Sequence, residues 1–247
     1  MILRGPFLIG YFDFLNLTLE KSFFALKFVS NSIKMEKKSF ENWTFEDVED
    51  VFGVERKHDI PLMQAWLAAK HEPDSVRTVI LDELRLYLRE YADAWQEDEL
   101  KMCFISPLIA MVHYMSPKYK VFTQRNLYAA FPDLNWEVSG RIEWLISKGK
   151  IVPKQPFFCL HEYKQENRRD NDPLGQLLVA MVAARTFNKM EIPIYGCYVV
   201  GRFWFFVILE ENQYCVSLAY DATKADELKE IFAALTELKF IIEKNLV

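Results

Sequence analysis

Phe157-Phe158-Cys159-Leu160-His161-Glu162-Tyr163-Lys164 is an apolar run that ends in charge. A short continuous apolar segment of this kind reads as a buried strand, in which residues two apart share a face. Glu162 and Lys164 therefore project together from the strand end. A carboxylate can hold a divalent cation, and an ammonium beside it can steady a water or a developing negative charge. His161 alternates with Glu162 and is expected to face the opposite side as a core residue.

Working outward, further strands are expected over Tyr119–Thr123, Asn135–Ser147, Ile194–Val200, Arg202–Leu209 and Gln213–Leu218. Lys148-Gly149-Lys150, Gly201 and Glu210-Glu211-Asn212 read as tight turns between them. Asp172-Pro173 opens a helix that runs to Phe187, and a second covers Ala222–Glu243. Upstream the pattern is helical. A short helix follows Thr44, a second starts at Pro61, and a third spans Ser75–Trp95. A fourth is expected over Glu97–Tyr114, kinked at Pro107. The order helix, strands, helix, strands, helix implies an α/β or α+β fold, with a mixed sheet flanked by helices.

The chain has 247 residues, of which 51% are apolar and 15% aromatic, so it can bury a large core. A net charge of -5 excludes a molecule that binds nucleic acid over its whole surface. The segment 141–169 breaks the acidic trend with seven basic residues against three acidic ones, and it surrounds Glu162 and Lys164. The four cysteines show no C-x-x-C spacing and read as reduced core residues of a cytoplasmic protein. No zinc spacing and no G-x-x-x-x-G-K-[ST] loop is present, so neither zinc nor ATP use is expected. Asp13 and Asn16 interrupt the apolar N-terminus before it reaches membrane-spanning length. Met35, followed by Glu-Lys-Lys-Ser, reads as an ordinary cytosolic start. Residues 1–34 are then an upstream extension, with an amphipathic anchor as the alternative.

Gln176 and Ala180 share a face of the helix after the Glu162-x-Lys164 strand, and Glu143 sits on the strand before it. This set resembles the PD-(D/E)xK nuclease superfamily over roughly residues 75–239. The stretch Glu97-Asp98-Glu99-Leu100-Lys101 before Ile105-Ser106-Pro107-Leu108 is similar to the opening helix of the nuclease domain in type I restriction R subunits. The chain as a whole looks closest to small bacterial members of that superfamily without an assigned substrate.

The resemblance implies a restriction-endonuclease-like domain over 73–247, preceded by a helical region over 35–72. It also implies Mg²⁺-dependent (or Mn²⁺-dependent) hydrolysis of DNA phosphodiesters. Glu143 stands where the family has an Asp, and with Glu162 it would hold the metal. Glu97 would assist, with Glu99 as second choice. Lys164 and Gln176 would be catalytic, and Lys154, Arg168 and Arg169 would contact the nucleic-acid backbone. Asp133, in a literal Pro132-Asp133, is read as a turn residue.

The alternative is a catalytically degenerate member serving as a protein- or nucleic-acid-binding scaffold. A pairing of Glu143 with Arg141 would point that way. So would an exposed aromatic face on Ile194–Leu218, which a homodimer would cover.

Overall fold

The computed structural model describes residues 35–166, 171–188 and 192–245. The chain divides into two units, Met1–Glu36 and Lys37–Val247. The first lies almost wholly outside the described residues, so the expected extension or anchor does too.

In chain order the elements are β1 (Glu36–Ser39), α1 (Phe45–Phe52), β2 (Glu55–Lys57), α2 (Pro61–Leu67) and α3 (Ser75–Tyr91). Then come α4 (Glu97–Leu100), a π-helical stretch (Lys101–Ile105) and α5 (Ser106–Val112). The second half holds β3 (Lys120–Phe131), β4 (Trp136–Lys148), β5 (Lys154–Lys164), α6 (Pro173–Phe187), β6 (Ile194–Val200), β7 (Phe203–Glu210), β8 (Gln213–Val216), β9 (Tyr220–Asp221) and α7 (Ala225–Asn245). The fold is mixed α/β, as the sequence pattern implied.

The sheet runs β1-β4-β5-β6-β7-β8-β2, with β3 also on β4 and β9 also on β7. β5 and β6 are parallel. Parallel neighbours need a crossover, and α6 supplies it. β4 pairs antiparallel with both β3 and β5. The β6–β7 hairpin closes on Gly201, whose φ of 56° is the left-handed conformation such a turn needs.

Residues 35–72 differ from the expected helical region. β2 adds to the sheet edge beside β8, and β1 joins β4. Their residues are mostly charged and exposed, so no apolar alternation marked them as strands. The expected tight turn at Gly149 is a longer loop, since pairing resumes only at Lys148 opposite Lys154. The irregularity expected at Pro107 lies one turn earlier, as the π-helical stretch, and the proline itself sits in the first turn of α5.

Two apolar layers cover the sheet. One joins α2, α3, α5 and α7 to Tyr195, Cys197, Trp204 and Phe206. The other is built on α6 and receives Ile194, Val207, Leu209 and Tyr214. Tyr198, Phe203 and Phe205 are half-buried, and Tyr198 stacks on Phe205 at 4.5 Å. No exposed aromatic face therefore remains on this hairpin for a second copy to cover.

α6 is apolar all round, which marks a helix enclosed on every side, and Leu174 to Ala184 are all buried. Asp172 caps it through Leu174 N, at 3.0 Å, and also accepts from Phe45 N, at 2.7 Å, tying the starts of α6 and α1 together. At Gly175 an added Cβ would lie 2.4 Å from the carbonyl oxygen of Trp43. Neither backbone can yield without moving a helix start. Gly175→Ala is therefore expected to destabilise by about 2 kcal/mol or more, despite alanine's helix preference of about 1 kcal/mol. Urea unfolding measures this, and a neutral result would mean that the two helix starts separate freely.

Among the described residues no helix is long and apolar enough to cross a membrane. Cys103, Cys197 and Cys215 are free thiols.

Candidate active site

The register of β4 and β5 sets Trp144 opposite His161, so that Glu143 and Glu162 come next along adjoining strands. Glu162 lies in a pocket of about 270 Å³, whose walls include Glu143, Lys164, Gln176, Gln124 and Arg141. The sequence thus brings Glu143, Glu162, Lys164 and Gln176 to one place. His161 turns away as expected. It is buried, its ring centroid lies 4.2 Å from that of Trp144, and its Nδ1 is 2.8 Å from the Tyr163 hydroxyl. Burial lowers its pKa to about 3, so it stays neutral.

A local irregularity sets the direction of Glu143. On β4 the residues packed in the α6 layer are Val138, Ile142 and Leu145, and on β3 they are Phe122, Leu127 and Ala129. Trp144 and Ile146 belong to the opposite layer. Strict alternation would keep each strand in one parity. Both strands instead change phase where Gln124 adopts a left-handed backbone, φ 53°. Thr123 and Arg125 pair with Trp144 and Ile142 on either side of it. Gln124 donates through Nε2 to Glu143 Oε2. An uncommon backbone conformation held at a charged cluster is a mark of functional sites.

Lys101, the first residue of the π-helical stretch, completes the cluster. Its ammonium lies 2.7 Å from Glu97 Oε1 and 2.7 Å from Glu143 Oε2, and 3.3 Å from the exposed Asp98. Burial works to lower its pKa. Hydrogen bonds to Glu143 and Glu97 outweigh that and raise it above the ordinary lysine value. Glu162, 3% exposed, is met by Lys164 Nζ at 2.7 Å. Burial raises its pKa to about 7 against the pull of Lys164, and the charges of Glu143 and Glu97 push the same way as burial. Glu162 therefore feels the charge of both other carboxylates.

Other sequence expectations fall elsewhere. Glu99 accepts from Gln96 N at 2.8 Å and caps α4, so Glu97 is the helix carboxylate of the cluster. Arg141 forms no ion pair with Glu143; its Nη1 donates to Gln124 Oε1 at 3.4 Å, and Gln124 in turn donates to Glu143. Asp133 sits in a short 3-10 turn between β3 and β4, as read. Lys154 begins β5, beside Gly149, Lys150 and Val152. Eight residues of strand place it roughly 25 Å from Glu162, so it is not part of this site. Arg168 and Arg169 lie outside the described residues.

Sequence reading missed Lys101 and Gln124. The spacing of Glu97 and Lys101, one helical turn, was a usable signal. The polar run Thr123-Gln124-Arg125-Asn126 carried none.

The donor set suits a hard divalent cation in kind: three carboxylates, and Gln176 Oε1, which is buried and has no hydrogen-bond partner among the described residues. Among the described residues no three such groups converge as they stand. Lys101 occupies the space between Glu97 and Glu143, and its withdrawal is what a cation there requires. No family model matches the chain, and no curated protein matches it either.

Proposed function

We propose that the chain is a metal-dependent nuclease-like protein that hydrolyses DNA phosphodiesters, in the manner of the PD-(D/E)xK superfamily it resembles. The observation that carries this reading is the pairing of Glu162 with Lys164 at the end of β5, in a pocket shared with Glu143 and Gln176. Glu143 and Glu162 would hold Mg²⁺ or Mn²⁺, with Glu97 assisting. When bound, the cation supplies Lewis acidity and a lowered water pKa.

The chain's own groups supply the rest. Lys164 lies at the pocket, where its ammonium can stabilise charge that develops on a phosphate. The Gln176 carbonyl oxygen can accept a hydrogen bond from a water and fix its direction. Arg141 lines the same pocket and can meet a phosphate oxygen from the rim. Arg168 and Arg169 remain backbone contacts on sequence grounds alone.

A second reading, a catalytically degenerate fold serving as a binding scaffold, is favoured by one observation. Lys101 already bridges Glu97 and Glu143 with its one ammonium.

Cleavage of supercoiled plasmid and of single-stranded DNA, with Mg²⁺ or Mn²⁺, separates the two. Metal-dependent cleavage should fall about 100-fold or more in both Glu162→Ala and Lys164→Ala. A folded wild type that cuts nothing, with metal titration unchanged in both variants, would leave the scaffold reading standing.

A further inference from the structure

A larger cavity, of about 580 Å³, opens on the other side of Glu143, between α5 and strands β3 and β4. Its walls are largely apolar, from Ile105, Ile109, Val121, Trp144 and Tyr163, with His113 also among them, while Lys101, Gln124 and Glu143 add a charged and polar part. Gln124 and Glu143 line this cavity and the Glu162 pocket alike, so the two lie on either side of those side chains. The ammonium in that part is already engaged: Lys101 meets Glu143 at 2.7 Å and Asp98 at 3.3 Å, so carboxylates outnumber it. A phosphate would meet two carboxylates there and a lysine they already hold. A flat, neutral group with hydrogen-bonding edges would find apolar walls and a polar part.

We infer that this cavity receives one unstacked nucleobase of a single-stranded nucleic acid whose backbone lies at Glu162 and Lys164. The inference rests on the reading of that pocket as a phosphodiester site, and it adds the class of substrate. A duplex keeps its bases stacked and paired and is too wide for a cavity of this volume. A single strand can turn one base aside without breaking a pair, and aromatic and apolar walls hold bases with little regard to sequence. The shared Gln124 and Glu143 place the base next to the phosphate under attack.

The test uses the full chain in EDTA, so that binding is read apart from cleavage. The probe is a fluorescein-labelled single-stranded oligonucleotide followed by anisotropy, against its duplex and against the same strand with abasic positions. Ala110 is exposed on α5 and lines the cavity, so Ala110→Trp fills it from the solvent side and spares the core. Expected are binding of the single strand about tenfold or more tighter than of the duplex or the abasic strand, and a similar loss in Ala110→Trp. Circular dichroism and melting of that variant should match the wild type.

Equal binding of single strand and duplex, an indifferent abasic strand, undiminished binding by a folded Ala110→Trp, or no binding at all would each overturn the inference. Should Ala110→Trp fail to fold, the abasic comparison in the wild type decides alone. Base-dependent binding without any metal-dependent cleavage would sink the nuclease reading and leave the base cavity. Cleavage without strand preference would do the reverse.

Discussion

Glu162→Gln is expected to make the metal-free protein more stable above neutral pH and, on the nuclease reading, to cripple cleavage. The side chain is almost wholly buried, and its pKa stands near 7 against an ordinary 4.5. The folded carboxyl therefore keeps its proton up to about pH 7, whereas the unfolded chain releases it near 4.5. Between these values the folded state binds more protons, so stability falls as pH rises across that window. The loss is complete above about pH 7 and amounts to roughly 3 kcal/mol.

Glutamine keeps the oxygen that Lys164 Nζ meets at 2.7 Å but carries no charge to desolvate. Unfolding in EDTA at pH 8.5 should show the variant more stable than wild type, and at pH 4 the two should agree. If the proposed nuclease reading holds, cleavage should meanwhile fall about 100-fold or more. A variant that is less stable at both pH values would mean that the ionised carboxylate is a structural anchor. Groups held against their own stability mark sites that serve chemistry.

The elements that declared themselves in sequence were those whose pattern is set locally. α6 is bounded by its Asp172 cap and Pro173, and its uniform apolar character follows from burial on all sides. The β6–β7–β8 hairpins follow from the turn residues at Gly201 and at Glu211-Asn212. β3 was only half legible. Its middle, Thr123 to Asn126, is exposed and polar, and pairing with β4 alone makes it a strand. β2, three charged residues, is a strand because β8 lies beside it.

The candidate site divides in the same way. Glu162, Lys164 and Gln176 come from one strand and the helix that follows it, so spacing alone joins them. Glu143 was found at strand distance, but its direction depends on the phase change at Gln124, which no alternation pattern reveals. Lys101 reaches Glu143 across 42 residues, a contact that only the packing of α4 and the π-helical stretch on the sheet creates. Lys154 shows the converse. It is near the motif in sequence and on the same strand, yet the rigid length of β5 carries it away.

Lys101→Met is the sharpest test of whether Glu97 and Glu143 form a cation site or a sealed ion pair. The lysine side chain is 18% exposed, and both carboxylates are partly buried. Removing it leaves two unneutralised acids, which should lower the stability of the metal-free protein by about 1–3 kcal/mol. A divalent cation at the same place would no longer have to displace an ammonium. At about 4 Å, repulsion between unit charges amounts to roughly 4 kcal/mol at an effective dielectric of about 20, so even partial relief means tighter binding by about tenfold or more.

Isothermal titration with Mn²⁺ reads the affinity, and melting with and without Mn²⁺ reads the linkage, since a cation bound only by the folded chain restores the lost stability. An active nuclease predicts both the tighter binding and the rescue. A folded variant with the stability loss, unchanged Mn²⁺ affinity and no rescue would identify Lys101 as a permanent counter-ion and the three carboxylates as a scaffold. The same lysine thus discriminates the two readings through metal affinity, without any cleavage being measured.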